Sequence, residues 1–309
     1  MASTEEGRRL TEAHRQQQVA IRAAFLQELW PTWSLLDWSR IDETSPAWTQ
    51  LVMTLVRAWR GESVNAAASY FDLYRQVEVP SVSTPAPQLE IRNAPEATGA
   101  RRPDRVTDIT PIIESRRQSG NTSRDRSRID APHFGEFKPA VLDWGDIDPH
   151  VVRSIHSSGP AYLKHLAKRG ETEGPAKLKA LVTVSGTSSR HVLNGGRDAL
   201  DELIQADDAA VGWARVTDGD PCAFCAMLAS RGAVYKSAMT AGFKAHDHCA
   251  CTAEPVYDAF ADLPGRAQEF QDLWYSATKG FSGKDAINAF RRAYEKQRRP
   301  VQTEFSITA

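Results

Sequence analysis

Long apolar runs are absent from this sequence. No stretch approaches the roughly 20 apolar residues that a membrane-spanning helix needs. The amino-terminal MASTEEGRRLTEAHRQQQ is charged from its fifth residue and lacks the apolar core of a secretory signal. Net charge is lacking too, because 38 basic and 39 acidic residues leave −1 at pH 7, so no global field favours nucleic acid or membrane. We therefore expect a soluble protein of a reducing cytosol, with no membrane partner.

Cysteine is the third scarce feature. The 309 residues contain four cysteines, all within DGDPCAFCAMLASRGAVYKSAMTAGFKAHDHCACT, residues 218–252. Disulfides are rare in the cytosol, where closely spaced cysteine pairs more often bind metal. The sequence therefore argues against a disulfide framework and makes this stretch the leading candidate for a functional site.

Residues 1–80 have the pattern of a helical domain. The stripe predicted to be apolar in the first helix consists of Val19, Ala23, Leu26 and Trp30. Pro31 should end that helix. A second helix should start with Ser45 as N-cap and stop at Gly61, and a third should run to Pro80. The tryptophans of this region are Trp30, Trp33, Trp38, Trp48 and Trp59. We interpret them as core anchors, with a partner-binding surface as the alternative.

Residues 81–137 differ in composition from the rest of the chain. They have few aromatic residues, scattered prolines and many arginines. Such a segment buries too little apolar surface to offset the entropy of ordering it. We predict a flexible, basic linker whose arginines offer weak contact with DNA phosphates.

Residues 138–262 resume the pattern of a folded domain. Asp148 is a candidate N-cap for its first helix, and Ser188 and Ser189 are candidate N-caps for the helix in SSRHVLNGGRDALDELIQAD. The predicted buried face of that helix is Val192, Leu193, Gly196, Leu200, Leu203 and Ile204. VGWARVTDGD predicts a strand ending in a tight turn. Residues 263–309 predict two more helices and a tail, with a further basic group near the end that offers weak DNA contact.

The spacing of the cysteines suits zinc. Zinc takes four soft or borderline ligands in a tetrahedron, and two close pairs supply them. Cys222 and Cys225 lie three residues apart, on one side of a helical turn whose N-terminal dipole favours thiolate. Cys249 and Cys251 would share one side of an extended chain. The ligand set stays open: all four cysteines, or three of them with an imidazole in place of one sulfur. The candidate imidazoles are His246 and His248.

A catalytic zinc is disfavoured. PCAFC matches half of the zinc deaminase signature, but that class also needs a His-x-Glu, which none of the eight histidines provides. A closed set of four ligands leaves no position for water. The ion would therefore be structural, and its binding free energy would be folding free energy.

These residues resemble the MuF-like minor head proteins of tailed phages, closest to the actinobacteriophage branch often labelled capsid maturation protease. The resemblance covers about residues 140–260 and is carried by WARVTDGDPCAFCAMLASRGAVYKS and HDHCACTAEPVY. The matching positions are Trp213, Asp218, Cys222, Cys225, His246, Cys249 and Cys251. SGTSSRHVLNGGRD is similar to the arginine-bearing helix that precedes this element in the family.

The resemblance implies a mainly helical α+β fold, with a MuF-like domain and a small zinc-knuckle β-hairpin. It implies a head morphogenesis protein near the portal, whose partners are the phage portal, scaffold and major capsid proteins. The protein would be found in the host cytoplasm during assembly and then in the procapsid or virion. The protease label is the alternative, and its weak catalytic candidates are Ser185, His191 and Asp198. No Gly-x-Ser-x-Gly elbow accompanies them, and capping and packing roles are favoured.

Overall fold

The computed structural model describes residues 2–79, 86–93, 140–233, 243, 245–258, 260 and 262–298. Most of the predicted linker at 81–137, and the tail beyond residue 298, lie outside these described residues. The described helices are α1 (Glu5–Thr32), α2 (Ile41–Glu78), α3 (Trp144–His156), α4 (Tyr162–Lys168), α5 (Glu173–Ala206), α6 (Ala223–Ala229), α7 (Ala267–Ala277) and α8 (Gly283–Arg298). The described strands are β1 (Leu89–Arg92), β2 (Ala140–Asp143), β3 (Gly212–Val216) and β4 (Thr252–Val256). The mainly helical α+β class is confirmed.

Three long helices form the main core. α1, α2 and α5 pack on one another and enclose a cluster that includes Phe25, Trp48 and Val184, all buried. α3 and α4 pack against the same cluster, with a π-helical turn at Ser157–Ala161 between them. Burial of large apolar and aromatic side chains is the main stabilising term in such a core. The amino-terminal helices therefore share a core with the segment after the predicted linker.

The buried face of α1 differs from the predicted one. Ile21, Phe25 and Leu29 are fully buried, whereas Trp30 is 55% exposed. α1 is packed on two neighbouring helices, and the face they cover is not the one the sequence stripe indicated. Pro31 does end the helix, to within one residue. Trp33, Trp48 and Trp59 are buried, as the interpretation of core anchors predicted. Trp30 is exposed instead, so the alternative of a partner-binding surface applies to this tryptophan.

α2 and α5 are longer than predicted. α2 runs through Gly61, a position where an added Cβ would meet nothing within 4 Å. The buried Trp59 and Val64 on either side outweigh the ~1 kcal/mol that glycine costs in a helix. The prediction of a new helix at Ser45 was wrong, because α2 already begins at Ile41.

The prediction of Ser188 and Ser189 as N-caps was also wrong. Both lie in the middle of α5, a helix of 34 residues. The Ser189 hydroxyl donates to the carbonyl of Ser185 at 2.7 Å, which satisfies it within the helix. The predicted buried face of α5 is confirmed from Val192 to Ile204. In α3, the N-cap is Asp143, which accepts from the Gly145 amide at 2.8 Å, and not Asp148.

Two short sheets complete the fold. β1 and β2 pair in parallel, and β3 pairs antiparallel with β4, with Trp213 opposite Pro255. β3 and β4 bracket the cysteine-rich stretch, so their pairing brings its two ends together. The two predicted carboxy-terminal helices are present as α7 and α8, which pack on α6. Within the described residues, no helix has the length and apolar character needed to span a membrane.

Candidate metal centre

The first half of the site is built by the turn after β3. Cys222 is the N-cap of α6, and its sulfur accepts a hydrogen bond from the Cys225 amide at 3.4 Å. Cys225 lies one turn later and is buried. This cap places both sulfur atoms at the positive end of the helix dipole, where thiolate is favoured. The predicted helical Cys-x-x-Cys is confirmed.

The second half of the site comes from the chain just before β4. The Cys249 sulfur lies 3.5 Å from that of Cys225, and the two form a compact triplet with the sulfur of Cys251. His246 Nε2 lies 2.8 Å from the Cys222 sulfur and 3.5 Å from the Cys225 sulfur. Within each triplet the donor atoms all lie within 4.8 Å of one another, and Cys225 belongs to both. We call these five residues the cysteine cluster.

His246 presents the nitrogen that a metal ligand needs. Its Nδ1 lies 2.6 Å from the carbonyl oxygen of Asp247 and can only donate to it. A proton on Nδ1 leaves the lone pair of Nε2 directed at Cys222 and Cys225. Metal-binding histidines commonly donate their second ring nitrogen in this way.

The donor atoms of the cluster suit a tetrahedral thiophilic ion. A metal–sulfur bond of about 2.3 Å puts neighbouring sulfur atoms about 3.7 Å apart in a tetrahedron. The 3.5 Å between Cys225 and Cys249 is close to that spacing. Five donors surround a volume that needs four, so the ligand set is either the four cysteines or three of them with His246.

The thiols of the cluster perturb one another. The hydrogen bond from Cys225 lowers the pKa of Cys222 to about 5, and the same contact raises the pKa of Cys225. Hydrogen bonds from Cys225 and Cys251 lower the pKa of Cys249. The hydrogen bond with Cys225 acts to lower the pKa of Cys251, but contact with Cys249 and burial outweigh it and raise that pKa to about 12. Four thiols this close therefore cannot all ionise without a compensating positive charge.

α5 carries a stripe of residues that holds the cluster in place. Asp247 accepts from Arg190 Nε at 2.7 Å and from the Thr187 hydroxyl at 2.9 Å. Seven residues after Arg190, about two turns along the helix, Arg197 donates to the carbonyls of Cys249 at 2.7 Å and Cys251 at 2.9 Å. These side chains recur at helical spacing, so one face of α5 is the platform for the second half of the site.

His248 contributes to packing at this platform. Its backbone has a positive φ of 66°, and its ring lies against Gly186, where an added Cβ would come within 2.4 Å of Nε2. Gly186 therefore permits the close approach of the loop to α5. The His248 carbonyl accepts from Arg22 of α1 at 2.9 Å. His248 is thus a packing residue of the loop, and its ring does not join the donor atoms of the cluster.

The two halves of the site are joined by Asp218. Its carboxylate accepts from the Ala250 amide at 2.8 Å, across 32 residues of sequence. Trp213 of β3 is buried and stacks on Phe243 with ring centres 5.0 Å apart. Asp218 and Trp213 are two of the positions that carry the sequence resemblance, and both support the cluster here.

The weak catalytic candidates lie on α5 but have separate partners. The Ser185 hydroxyl accepts from the Trp30 indole at 3.1 Å, and Asp198 pairs with Arg60 at 2.5 Å. His191 lies six residues from Ser185, about 9 Å along the helix axis. Burial lowers the pKa of His191 to about 4, and its Nε2 has no hydrogen-bond partner among the described residues. No hydrogen-bonded relay joins the three side chains in the described part of the chain.

Sequence reasoning missed the residues that surround the donors. Thr187, Arg190 and Arg197 lie in SGTSSRHVLNGGRD, which the resemblance marked as an arginine-bearing helix without giving these residues a role at the site. Asp247 was flanked by two candidate histidines, and a charged residue inside a ligand motif could have been flagged as an anchor.

Comparison with known proteins adds a family context to this geometry. A family model described as VG15 protein matches residues 5–102 and 148–277, which include the whole cysteine cluster. A curated relative, the Gene 15 protein of Mycobacterium phage D29, is 27% identical over an alignment of 175 residues that covers 41% of this chain and 63% of the phage protein. The chain thus spans less than two thirds of that relative's length. No solved structure matches this chain.

Proposed function

Because this chain belongs to the VG15 protein family, we propose that it is a bacteriophage head morphogenesis protein of the MuF-like minor capsid type. It acts near the portal during procapsid assembly and contains a structural zinc ion. A mycobacteriophage relative and the resemblance of residues 140–260 to MuF-like proteins support the phage assignment. Its partners are the portal, scaffold and major capsid proteins.

The observation that carries the proposal is the assembled cysteine cluster. Sulfur atoms from both ends of a stretch of about 30 residues meet within bonding reach of one ion, inside the segment that the family model matches. Three or four thiolates select a soft divalent cation, of which zinc is the usual occupant of such structural sites. Its function there is to hold α6 and the chain before β4 as one unit.

This arrangement gives the zinc an assembly role. α7 and α8 pack on α6 through a cluster that includes Leu228, Phe270 and Phe290, and the Tyr294 hydroxyl donates to the Pro221 carbonyl at 2.6 Å. The carboxy-terminal helices are therefore positioned through the same element that carries Cys222 and Cys225. A fixed carboxy-terminal pair next to a rigid helical body is a suitable surface for portal or shell proteins.

The proposal is tested in particles. Procapsids and virions of the phage that encodes the chain should contain it, as quantified by mass spectrometry, and elemental analysis of the purified chain should give about one zinc per molecule. A Cys225→Ser variant should lose zinc and incorporate poorly. Ser276→Ala, an exposed change on α7, serves as the matched control. Absence of the chain from both particle types would contradict the head assignment, and absence of zinc would contradict the metal assignment.

The protease alternative is tested separately. The chain is coexpressed with its phage's scaffold and major capsid proteins, and cleavage is followed by mass spectrometry. We expect the partners to stay intact. Cleavage that is lost in Ser185→Ala or His191→Ala would instead establish the alternative.

A further inference from the structure

Arg197 is a buried cation at the centre of the platform on α5. Arg197 is only 2% exposed. Its guanidinium donates to the Cys249 carbonyl at 2.7 Å, to the Cys251 carbonyl at 2.9 Å and to the Asn194 amide oxygen at 2.9 Å. It also lies 3.8 Å from the Cys249 sulfur. Arg197 therefore contacts both cysteines of the second half of the site at once.

Asp198 acts on Arg197 electrostatically but pairs with Arg60, and no carboxylate among the described residues accepts the hydrogen bonds of Arg197. Among the described residues they go to two backbone carbonyls, one side-chain amide and one sulfur. A buried guanidinium needs an opposite charge nearby, because removing a cation from water costs several kcal/mol. Arg215 lies over the same Phe243 ring, 3.8 Å from the ring centre against 5.1 Å for Arg197.

The cysteine cluster supplies the opposite charge when it holds an ion. A divalent cation with three thiolates carries a net charge of minus one, and with four thiolates minus two. The Cys249 sulfur is the cluster atom that the guanidinium faces. A metal–thiolate centre would therefore be anionic on the side where Arg197 is buried.

We propose that Arg197 is the counter-cation and anchor of an anionic metal–thiolate centre with at least three thiolate ligands. This inference rests on the metal site proposed above and goes beyond it. Arg197 offsets the excess charge of the sulfur ligands and fixes the backbone of the Cys-x-Cys segment. It is a positioning residue, which acts on the ion through Cys249 and Cys251.

The test compares metal affinity in the full chain and its variants. Zinc affinity is measured by competition with a chromophoric chelator for the parent, Arg197→Met and Arg197→Lys. We expect Arg197→Met to weaken binding by about 10–100-fold, as is typical when a residue supporting a ligand is lost. The zinc affinity of Arg197→Lys should lie between those of the parent and of Arg197→Met, because lysine keeps the positive charge but loses the forked geometry of the guanidinium.

Arg190→Met tests docking of the loop separately, and Arg153→Met, at an exposed position on α3, is the control that should keep parent-like zinc affinity. Arg190 lies on the same face of α5 and binds Asp247 at 2.7 Å, but none of its hydrogen bonds among the described residues reaches a cysteine. Its pair with Asp247 is partly exposed, so its loss should weaken zinc binding by less than the loss of Arg197 does. An equal loss in Arg190→Met and Arg197→Met would overturn the proposal, because it would reflect docking of the loop alone.

Cobalt gives a second readout that counts thiolates. Co²⁺ replaces zinc in the parent, and the intensity of its sulfur-to-metal charge-transfer absorption should correspond to three or four thiolates. Fewer than three, or parent-like zinc affinity in Arg197→Met, would overturn the proposal. If circular dichroism shows that Arg197→Met is unfolded, Arg197→Lys decides in its place. If the parent chain binds no metal, both the proposed metal site and this inference are overturned. If it binds metal with an affinity that does not depend on Arg197, this inference alone is overturned.

Discussion

The helical core and the cysteine cluster are held together by different interactions. The core of α1, α2 and α5 contains a large set of fully buried apolar side chains, such as Phe25 and Trp48. Within the described part of the chain, the buried sulfur atoms of Cys225, Cys249 and Cys251 have only Cys222, Phe243 and Ala245 as partly buried apolar neighbours. Apolar burial can stabilise the first region without a ligand, whereas the second has little of it, which is why we propose that an ion holds it together.

The boundary between these regions is polar. Asp247 and the carbonyls of Cys249 and Cys251 accept hydrogen bonds from α5. Such bonds contribute little net free energy each but are specific in geometry. We therefore expect the core to act as a preformed template that stays folded when the cluster is lost. The predictions below test this division, from the largest expected effect to the smallest.

Metal removal should separate the two regions most clearly. Structural zinc in small peptides contributes about 10–16 kcal/mol of apparent binding free energy. Chelation should therefore raise hydrogen exchange in α6 and around Cys249, while α2 and α5 keep their protection. Hydrogen-exchange mass spectrometry measures this, and the chelator should have no further effect on Cys225→Ser. Equal protection with and without chelator would show that the cluster is stable without an ion.

Breaking a buried ion pair of the core should have the next largest effect. Arg75 Nε lies 2.8 Å from Asp207, with side chains 8% and 1% exposed, and the Tyr257 hydroxyl donates to the same carboxylate. Asp207→Asn removes the carboxylate that faces the buried guanidinium and should cost about 3–5 kcal/mol in the free energy of unfolding. Urea denaturation measures the change. Glu269→Gln, which alters an exposed ion pair, should leave the free energy of unfolding unchanged.

Acid should destabilise the core through His14. The ring of His14 is buried, stacks on Tyr70 and bonds Thr252, and burial lowers its pKa from 6.5 to about 3. As pH falls below about 6.5, the unfolded chain binds a proton that the folded chain does not, so stability falls by about 1.4 kcal/mol per pH unit. This loss continues towards pH 3 and is absent above pH 6.5.

The His14 prediction is checked by urea denaturation at several pH values. His14→Gln should make the free energy of unfolding depend less on pH between pH 6.5 and 4. His156→Gln, at an exposed position on α3, should leave it as in the parent. A parent-like slope in His14→Gln would assign the acid sensitivity to other groups.

A close approach between α2 and α5 should give the smallest effect. At Gly195 an added Cβ would lie 2.6 Å from Arg60 Cγ and 2.7 Å from the Arg60 carbonyl oxygen. Gly195→Ala must push the helices apart and should cost about 1–3 kcal/mol. Gly174→Ala, on the same helix with nothing within 4 Å, should be neutral or stabilising by up to ~1 kcal/mol. Thermal unfolding compares the two, and equal effects would contradict tight packing at Gly195.

The sequence predicted the existence of the helices better than their limits. Ser45, Gly61, Ser188 and Ser189 are residues that often end or begin helices, yet all lie inside helices here. Local preferences of about 1 kcal/mol were overridden by apolar residues buried on both sides. The face of α1 was mispredicted for a related reason, since which stripe is covered depends on the neighbouring helices.

The candidate site was predicted more accurately than its surroundings. Cys222, Cys225, Cys249, Cys251 and His246 come together as the spacing indicated. Close pairs restrict where their sulfur atoms can point, so spacing alone carries geometric information. Asp247, Arg190 and Arg197 could not be found in this way, because their contacts cross more than 50 residues of sequence.

By itself, the sequence indicated the candidate donor residues that the fold brings together and the helical nature of the chain. Both depend on residue type and on spacing over a few positions, which act before the chain is folded. Only the tertiary structure decided which face of α1 is buried, where α2 and α5 begin, and that one side of α5 carries the cluster. These properties arise from contacts between distant segments, whose free energies exist only once the helices have packed.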